Sequence, residues 1–176
     1  EYLIGEEDQA KIGQTAMQFL SISLDPRASA MGNAVTAMEL NSSAQLYNPA
    51  ALGFMQQSID VNVGHNQWIA DIRYLYGAGA MRIGSIGTVG IHVISVDHGT
   101  INTTIRSENQ QGYVDTGEIT PSATAVGVSY ARALTNRFSA GGNVKFVRQN
   151  LGSATLGSDG ESTSIDHGTL AFDFGM

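Results

Sequence analysis

The chain has 176 residues, enough for one ordinary domain, and contains no cysteine, which excludes disulfides and thiolate chemistry. Its net charge of −7 and nine scattered Lys and Arg residues argue against a nucleic acid partner, because phosphate binding needs clustered basic residues. No run approaches the ~20 apolar residues of a membrane-spanning helix. That observation does not exclude a transmembrane barrel, whose strands are apolar only at alternate positions.

The first 57 residues, 1–57, are rich in Ala and Met and show no sustained alternation, so they predict a compact group of short helices. Within this segment, Asn48 is the expected N-cap of a helical turn, Pro49 its first residue and Gly53 its left-handed end. Residues 41–43 (NSS) offer a second cap. The chain opens without a basic and apolar leader, so we expect that a signal peptide has been removed or was never included.

From residue 58 to residue 176, six segments alternate bulky apolar residues with small or polar ones, which predicts strands with two different faces. In the second segment, Tyr74 is assigned to the apolar face together with Ile72 and Tyr76, and Arg73 to the polar face with two glycines. The polar residues expected to face inward, toward a lumen, are Asp60, Asn62, Arg73, Asn143 and Lys145.

The connections between these segments are alternately short and long, with short links at 83–87 and 134–137 and longer ones at 98–121 and 151–164. In an antiparallel up-and-down meander every second connection lies at the same end, and outer-membrane barrels have short periplasmic turns and long external loops. The sequence therefore predicts an all-β transmembrane β-barrel. Its strand pattern is still running at Met176, and bacterial single-chain barrels have at least eight strands, so we expect further strands beyond it.

Four aromatic residues are candidates for the belts that such barrels carry at the two membrane interfaces, although aromatic residues also fill ordinary β-cores. They are Trp68, Tyr74, Tyr130 and Phe138.

Catalytic and metal sites have little support in the sequence. Residues 127–131 (GVSYA) only resemble a nucleophile elbow, and the four histidines lack metal-ligand spacing. The acidic turn at 159–161 has too few oxygen ligands for calcium. We therefore predict a protein that is not an enzyme and needs no metal or cofactor, with a bound lipid or detergent molecule as the one candidate ligand.

Three N-terminal motifs resemble the signature of the PorV/PorQ family, part of the wider FadL-like group of barrels: 18–20 (QFL), 27–34 (RASAMGNA) and 46–52 (LYNPAAL). The resemblance continues through 65–71, 127–132, 135–139 and 142–145 and covers nearly the whole chain. Residues 153–164 match no motif of the family, and the chain supplies fewer than half of the family's strands.

The resemblance implies a fourteen-stranded barrel in the bacterial outer membrane, filled by an N-terminal plug that contains Arg27, Gly32, Asn48, Pro49 and Ala50. It also implies a component of the type IX secretion system that binds the C-terminal signal domains of cargo proteins, or the translocon, and contacts outer-membrane lipid. Residues 98–121 are the candidate contact surface. Two alternatives remain: a FadL-like conduit for hydrophobic small molecules and, less favoured, a soluble β-sandwich.

Overall fold

The computed structural model describes residues 17–107, 109–155 and 162–176, and most of these residues form antiparallel β-sheet. Four short helices come first: the 3₁₀ helix η1 (Gln18–Ser21), α1 (Pro26–Ala30), and the 3₁₀ helices η2 (Asn41–Leu46) and η3 (Pro49–Phe54). The strands are β1 (Ile59–Gln67), β2 (Arg73–Ile83), β3 (Gly87–Asp97), β4 (Ile101–Arg106), β5 (Tyr113–Ile119), β6 (Ser122–Ala133), β7 (Ser139–Thr155) and β8 (Ser162–Gly175). None of the helices in the described part of the chain is long and apolar enough to cross a membrane.

Six strands form one sheet in the order β1-β2-β3-β6-β7-β8, and every neighbouring pair is antiparallel. This antiparallel meander confirms the predicted all-β class and the six predicted strands. The short connections 84–86 and 134–138 lie at one end of the sheet, which we call the short-turn end. The opposite end, which carries the link between β3 and β6, is the long-loop end.

The interpretation of 98–121 as a long loop was incomplete, because it contains a separate two-stranded hairpin, β4–β5. None of the hairpin residues whose exposure is described is buried, and the hairpin lacks the apolar alternation from which strands are recognised. The predicted loop 151–164 is also shorter than expected, since β7 continues to Thr155 and β8 begins at Ser162. The acidic turn at 159–161 lies outside the described residues.

The two faces of the six-stranded sheet differ sharply in composition. The register aligns three adjacent rows, each with one residue from every strand, in which every residue is apolar or glycine. We call them the apolar rows: Ile59, Val61, Val63, Gly77, Gly79, Met81, Val89, Ile91, Val93, Val126, Val128, Tyr130, Gly142, Val144, Phe146, Leu170, Phe172 and Phe174. Most of their large side chains are exposed, so this is the exposed face of the sheet.

The opposite, covered face packs against the N-terminal segment 17–55. One buried cluster joins Phe19 and Leu24 to Tyr76, Ile94 and other residues of the sheet. A second cluster joins helices α1, η2 and η3 to small residues of β2 and β6: Ala28, Ala44, Leu52, Ala80 and Ala131. Small residues in the sheet bring the backbones of the helices close to it, so the contact is tight without long side chains.

The face assignment of β2 was wrong. Tyr74 and Tyr76 are 4% and 3% exposed on the covered face, whereas Arg73 lies on the exposed face. Gly64 on β1 pairs with Tyr76, and a Cβ at Gly64 would lie only 2.3 Å from the Tyr76 ring. The absence of a side chain on one strand thus makes room for an aromatic ring on the next, an arrangement that the pattern of a single strand does not reveal.

The helix ends were predicted with mixed success. Asn48 caps η3, since its side-chain oxygen accepts from the Ala50 backbone N–H at 3.2 Å, and Pro49 is the first residue of the helix. Gly53 is not a left-handed stop, because η3 continues to Phe54; a Cβ at Gly53 would instead lie 3.0 Å from the Ala133 nitrogen. Residues 41–43 provide no side-chain cap for η2.

Candidate functional site

The contact between the N-terminal segment and the sheet is centred on Gln45 of η2, which is only 1% exposed. Its amide nitrogen Nε2 donates to three backbone carbonyl oxygens: Ser42 at 2.9 Å, Ile91 at 3.1 Å and Gly79 at 3.3 Å. Two of these carbonyls belong to paired positions on β2 and β3. Gln45 therefore connects η2 directly to the backbone of the sheet.

The other end of the same amide binds side chains of β3 and β6. Gln45 Oε1 accepts from Ser129 Oγ at 3.1 Å and lies 3.3 Å from His92 Nδ1. An amide oxygen can only accept, so the hydrogen of the His92 ring is on Nδ1. A Cβ at Gly90 would lie 2.8 Å from this oxygen, which shows how closely the Gln45 side chain lies against β3.

Asp60 and Asn62 of β1 lie on the covered face, and both bind the N-terminal segment. Asp60 Oδ2 accepts from the backbone N–H of Ser42 at 2.9 Å and also from the Ser42 hydroxyl. Asn62 Nδ2 donates to Ser43 Oγ at 2.8 Å and to Asp25 Oδ2 at 3.4 Å. These polar side chains hold η2 in place. The Ser42 side chain, which was expected to cap a helix, binds Asp60 instead.

A third set of contacts holds η3 near the short-turn end. Ser139 Oγ donates to the Ala50 carbonyl at 2.8 Å, and Asn48 Nδ2 donates to the Thr36 carbonyl at 3.0 Å. A Cβ at Gly141 would lie 2.8 Å from both the nitrogen and the Cα of Ala50, so helix and strand touch backbone to backbone. Ala50 thus contacts β7 directly, whereas Asn48 binds Thr36 within the N-terminal segment.

Arg27 and Gly32, the other two residues of the family motif, lie on the outside of the N-terminal segment. Arg27 is exposed, and its Nη2 donates to the Glu39 carbonyl at 2.9 Å. Gly32 is exposed too and has a φ of +61°, in the left-handed region that favours glycine. Both residues shape the loop between α1 and η2 and do not contact the sheet residues of the polar contact described above.

Asn143 and Lys145 of β7 form a separate polar group on the covered face with Asp173 of β8. Lys145 Nζ lies 2.7 Å from Asp173 Oδ2, and Asn143 Nδ2 donates to the same oxygen at 2.9 Å. This group borders an open cleft of about 650 Å³ between β7–β8 and the N-terminal segment. Arg73 was predicted to join these residues. It lies instead on the exposed face, in the same row as Gln67 and Asp97.

The four aromatic candidates are divided between two environments. Trp68 follows β1 and is 41% exposed, whereas Tyr130 and Phe138, both 45% exposed, lie toward the short-turn end. The Tyr130 hydroxyl donates to the Ile86 carbonyl at 2.6 Å and so connects β6 to the turn 84–86. Tyr74 belongs to the buried core instead.

On the exposed face, one ion pair lies past the apolar rows toward the long-loop end. The Arg148 guanidinium donates to both carboxylate oxygens of Asp166, with Nε 3.0 Å from Oδ1. This hydrogen-bonded guanidinium holds the pKa of the Asp166 carboxyl below its usual value. The chemistry of the exposed face therefore changes from apolar to charged within two rows.

The geometry offers no support for a nucleophile at Ser129, whose hydroxyl is fully buried and donates to Gln45. Within the described ranges, no group of three or more His, Cys, Asp or Glu residues could hold a metal ion. Sequence analysis missed the central residue, Gln45. A polar residue in a short 3₁₀ helix carries no signal of burial, because its partners in the sheet lie 34 to 84 residues away.

The fold and these contacts define the class of protein, an all-β protein built on an antiparallel meander. The exposed face of this sheet is apolar, and polar contacts link its covered face to an N-terminal helical segment. The chain belongs to the PorV family, since the family model described as type IX secretion system protein PorV matches residues 5–173. The predicted family is thereby confirmed. As a member of this family, the chain is a component of the type IX secretion system. No curated protein matches the sequence.

Proposed function

We propose that this protein is a non-enzymatic outer-membrane component of the type IX secretion system. In this proposal the six strands belong to a transmembrane β-barrel of about fourteen strands, and the N-terminal segment is its plug. The observation that carries the proposal is the set of apolar rows, which cross all six strands with the Tyr130 hydroxyl as their only polar side-chain group. Lipid acyl chains are the environment that such a surface matches.

The dimensions of the apolar rows support this proposal. Successive rows are two residues apart, about 6.7 Å along a strand, so three rows with their side chains cover roughly 20 Å. Outer-membrane barrels carry an apolar band about 25 Å tall. In water, each fully exposed Val, Leu or Phe side chain would forgo roughly 1.5–3 kcal/mol of transfer free energy, and a continuous patch of this size would favour aggregation.

The covered face supports the same proposal, since four of its polar residues contact the N-terminal segment: Asp60, Asn62, His92 and Ser129. Lys145 and Asp173 border an open cleft, where water can solvate them. In the dry interior of a sandwich the same ion pair would be costly. A lumen that contains a polar plug is the environment that fits these side chains.

We further propose that the β4–β5 hairpin binds cargo C-terminal domains, the translocon, or both. The hairpin extends from the long-loop end, opposite the short turns that are periplasmic in such barrels. Ile101, Tyr113 and Val114 are 47%, 49% and 43% exposed, so apolar side chains remain available to a partner. The backbone bond from His98 N–H to the Pro121 carbonyl, 3.1 Å long, closes the base of the hairpin.

The membrane part of this proposal is tested by introducing a charge into the middle apolar row. Ile91→Arg is expected to destabilise the inserted protein by about 2–4 kcal/mol, the cost of arginine near the bilayer midplane. Ser95→Arg, on the same strand and face but past the apolar rows, is the matched control and is expected to cost about 0–1 kcal/mol. The measurement is the urea midpoint of the full-length protein in lipid vesicles; equal effects at both positions would refute contact with lipid.

The recognition part is tested by replacing residues 101–119 with a short Gly-Ser linker, which leaves the base at His98 and Pro121 in place. The variant is expected to reach the outer membrane normally but to lose the cargo and translocon proteins that copurify with the unaltered protein in mild detergent. Mass spectrometry of proteins and extracted lipids measures both. Unchanged copurification would refute the role of the hairpin, and a stoichiometric hydrophobic small molecule without protein partners would favour a FadL-like conduit.

A further inference from the structure

The hairpin β4–β5 forms a two-stranded sheet of its own, so each of its strands has one edge that pairs with no other described strand. Backbone N–H and C=O groups at such an edge form no ladder hydrogen bonds and can pair with an added strand. The two edges of the hairpin differ in regularity, in surroundings and in sequence. These differences decide which edge a partner strand can use.

The backbone groups of β4 alternate between the two sides of the strand. Ser107 N–H donates to the Gly112 carbonyl oxygen at 3.0 Å, so the Ser107 N–H points toward the β5 side. Successive residues of a strand direct their N–H and C=O groups to opposite sides. Asn102, Thr104 and Arg106 therefore direct theirs away from β5. Each of them offers one donor and one acceptor at the outer edge of β4.

The edge of β5 is irregular. Thr103 pairs with Gly117 and Thr104 with Asp115, so Thr116 is an extra residue and β5 carries a β-bulge. Gly117 has a φ of +114°, a backbone conformation that favours glycine. A bulge interrupts the ladder and protects an edge against the addition of another strand. The extra residue lies in β5, so the alternation along β4 is regular.

The two edges also differ in their surroundings. The β5 side lies toward the six-stranded sheet, since a Cβ at Gly152 of β7 would lie 3.0 Å from Ile119 Cβ. On the β4 side, the short link 68–72 between β1 and β2 contacts the base of the hairpin, where a Cβ at Gly99 would lie 3.7 Å from Asp71. Among the described strands only β5 pairs with β4, so the outer edge of β4 is open to a partner.

The sequence of β4 does not protect this edge either. Residues 101–105 (INTTI) contain neither proline nor a charged residue, which are common means of protecting an exposed edge. When a strand adds to such an edge, main-chain hydrogen bonds supply the affinity and do not depend on the side chains of the added strand. The edge can therefore accept strands of different sequence, as recognition of more than one cargo protein requires.

We propose that the outer edge of β4 binds an extended strand of a cargo C-terminal domain by β-strand addition. The added strand pairs with the backbone groups of Asn102, Thr104 and Arg106 and extends the hairpin to three strands. This proposal rests on the proposed recognition of cargo by the hairpin, and it names the means of recognition: backbone pairing at one edge.

The experiment measures, by biolayer interferometry, binding of a purified cargo protein that retains its C-terminal domain to the full-length protein in detergent micelles. Thr104→Pro removes one outward N–H and is expected to raise Kd at least about fivefold, as for loss of one backbone hydrogen bond. Proline is tolerated at a strand edge where the N–H faces solvent. Thr104→Ala keeps the N–H and is expected to leave Kd unchanged. Asp115→Pro, at the paired position on the bulged strand, is the matched control and is also expected to leave Kd unchanged.

Hydrogen–deuterium exchange of the unaltered protein gives a readout that needs no variant. Cargo is expected to slow exchange in the peptide 101–107 by about tenfold or more and to leave the peptide 113–119 unchanged, since only the first contains amides of the β4 edge. The same measurement on the free Thr104→Pro protein checks its folding. Exchange of 113–119 at the rate of the unaltered protein shows that the hairpin has formed.

Equal Kd values for Thr104→Pro and Thr104→Ala, an equal loss in Asp115→Pro, or protection of 113–119 alone would overturn strand addition at β4. If the Gly-Ser replacement of 101–119 loses cargo while Thr104→Pro retains it, strand addition fails and the recognition role of the hairpin stands. Unchanged cargo binding after that replacement would reject the recognition role itself. A dimer in detergent that Thr104→Pro converts to a monomer would assign the edge to a second copy of the chain and overturn the cargo assignment.

Discussion

Replacing Gln45 by Leu tests whether the polar contacts of one side chain hold the N-terminal segment against the sheet. Leucine has a similar volume, so the substitution removes hydrogen bonds without leaving a large cavity. It leaves the Ser129 hydroxyl and the His92 Nδ1–H without their shared acceptor in a buried site. Each unsatisfied buried donor costs about 1–3 kcal/mol, so we expect a loss of roughly 3–5 kcal/mol with the Nε2 bonds included.

Hydrogen–deuterium exchange of the full-length protein, read on peptides that cover residues 41–54, measures this effect. Because each ~1.4 kcal/mol is a factor of ten in an equilibrium constant, exchange through local opening is expected to accelerate by at least a hundredfold. The control is Gln67→Leu at the end of β1, an exposed residue with no side-chain hydrogen bond in the described part of the chain.

A double-mutant cycle sharpens the prediction, since Ser129→Ala is expected to cost less when Gln45 is already Leu, because the hydroxyl it removes is then unpaired. If exchange over residues 41–54 is the same in Gln45→Leu as in the unaltered protein, the polar contacts do not hold the segment and the reasoning fails.

Two further predictions follow from single contacts. Gly141→Ala is expected to push η3 away from β7 and to cost about 1–3 kcal/mol, because its Cβ would meet the Ala50 backbone at 2.8 Å. Gly142→Ala is the adjacent control, where the nearest atom is 3.5 Å away; equal thermal midpoints for the two variants in detergent would contradict the close approach. Arg148→Gln is expected to raise the pKa of the Asp166 carboxyl, which the guanidinium now holds down. Because the folded pKa lies below the unfolded value of ~3.9, the stability contributed by this pair is present above that pH and is lost as the pH falls through the folded pKa. NMR titration of the carboxyl carbon measures the shift, and an unchanged midpoint in Arg148→Gln would contradict the ion pair.

The predicted face assignments succeeded wherever a strand carries bulky residues on one side only. In β6, Val126 and Val128 alternate with Ala125 and Gly127, and the structure places the first pair on the exposed face and the second on the covered face. The reading of β2 failed for the opposite reason. Its glycines lie on the exposed face and its tyrosines on the covered face, so small residues did not indicate the side that packs against the helices.

The hairpin β4–β5 and the polar contacts of Gln45 could not be predicted from the sequence either. The hairpin has no apolar alternation, and its pairing depends on backbone hydrogen bonds that residue types do not encode. The cap at Asn48 and Pro49 could be predicted, because both effects act within two residues along the chain.

The amino-acid sequence by itself thus determined the class, the order of the six strands, the apolar face of most of them and the family. These properties are local, since alternation and capping depend on neighbours a few residues apart. Only the tertiary structure decided which face of β2 is covered and which polar side chains hold the N-terminal segment. The physical reason is that glycine–aromatic pairs and buried amide contacts join residues 12 to 84 positions apart, such as Gly64 with Tyr76 and Gln45 with Ser129.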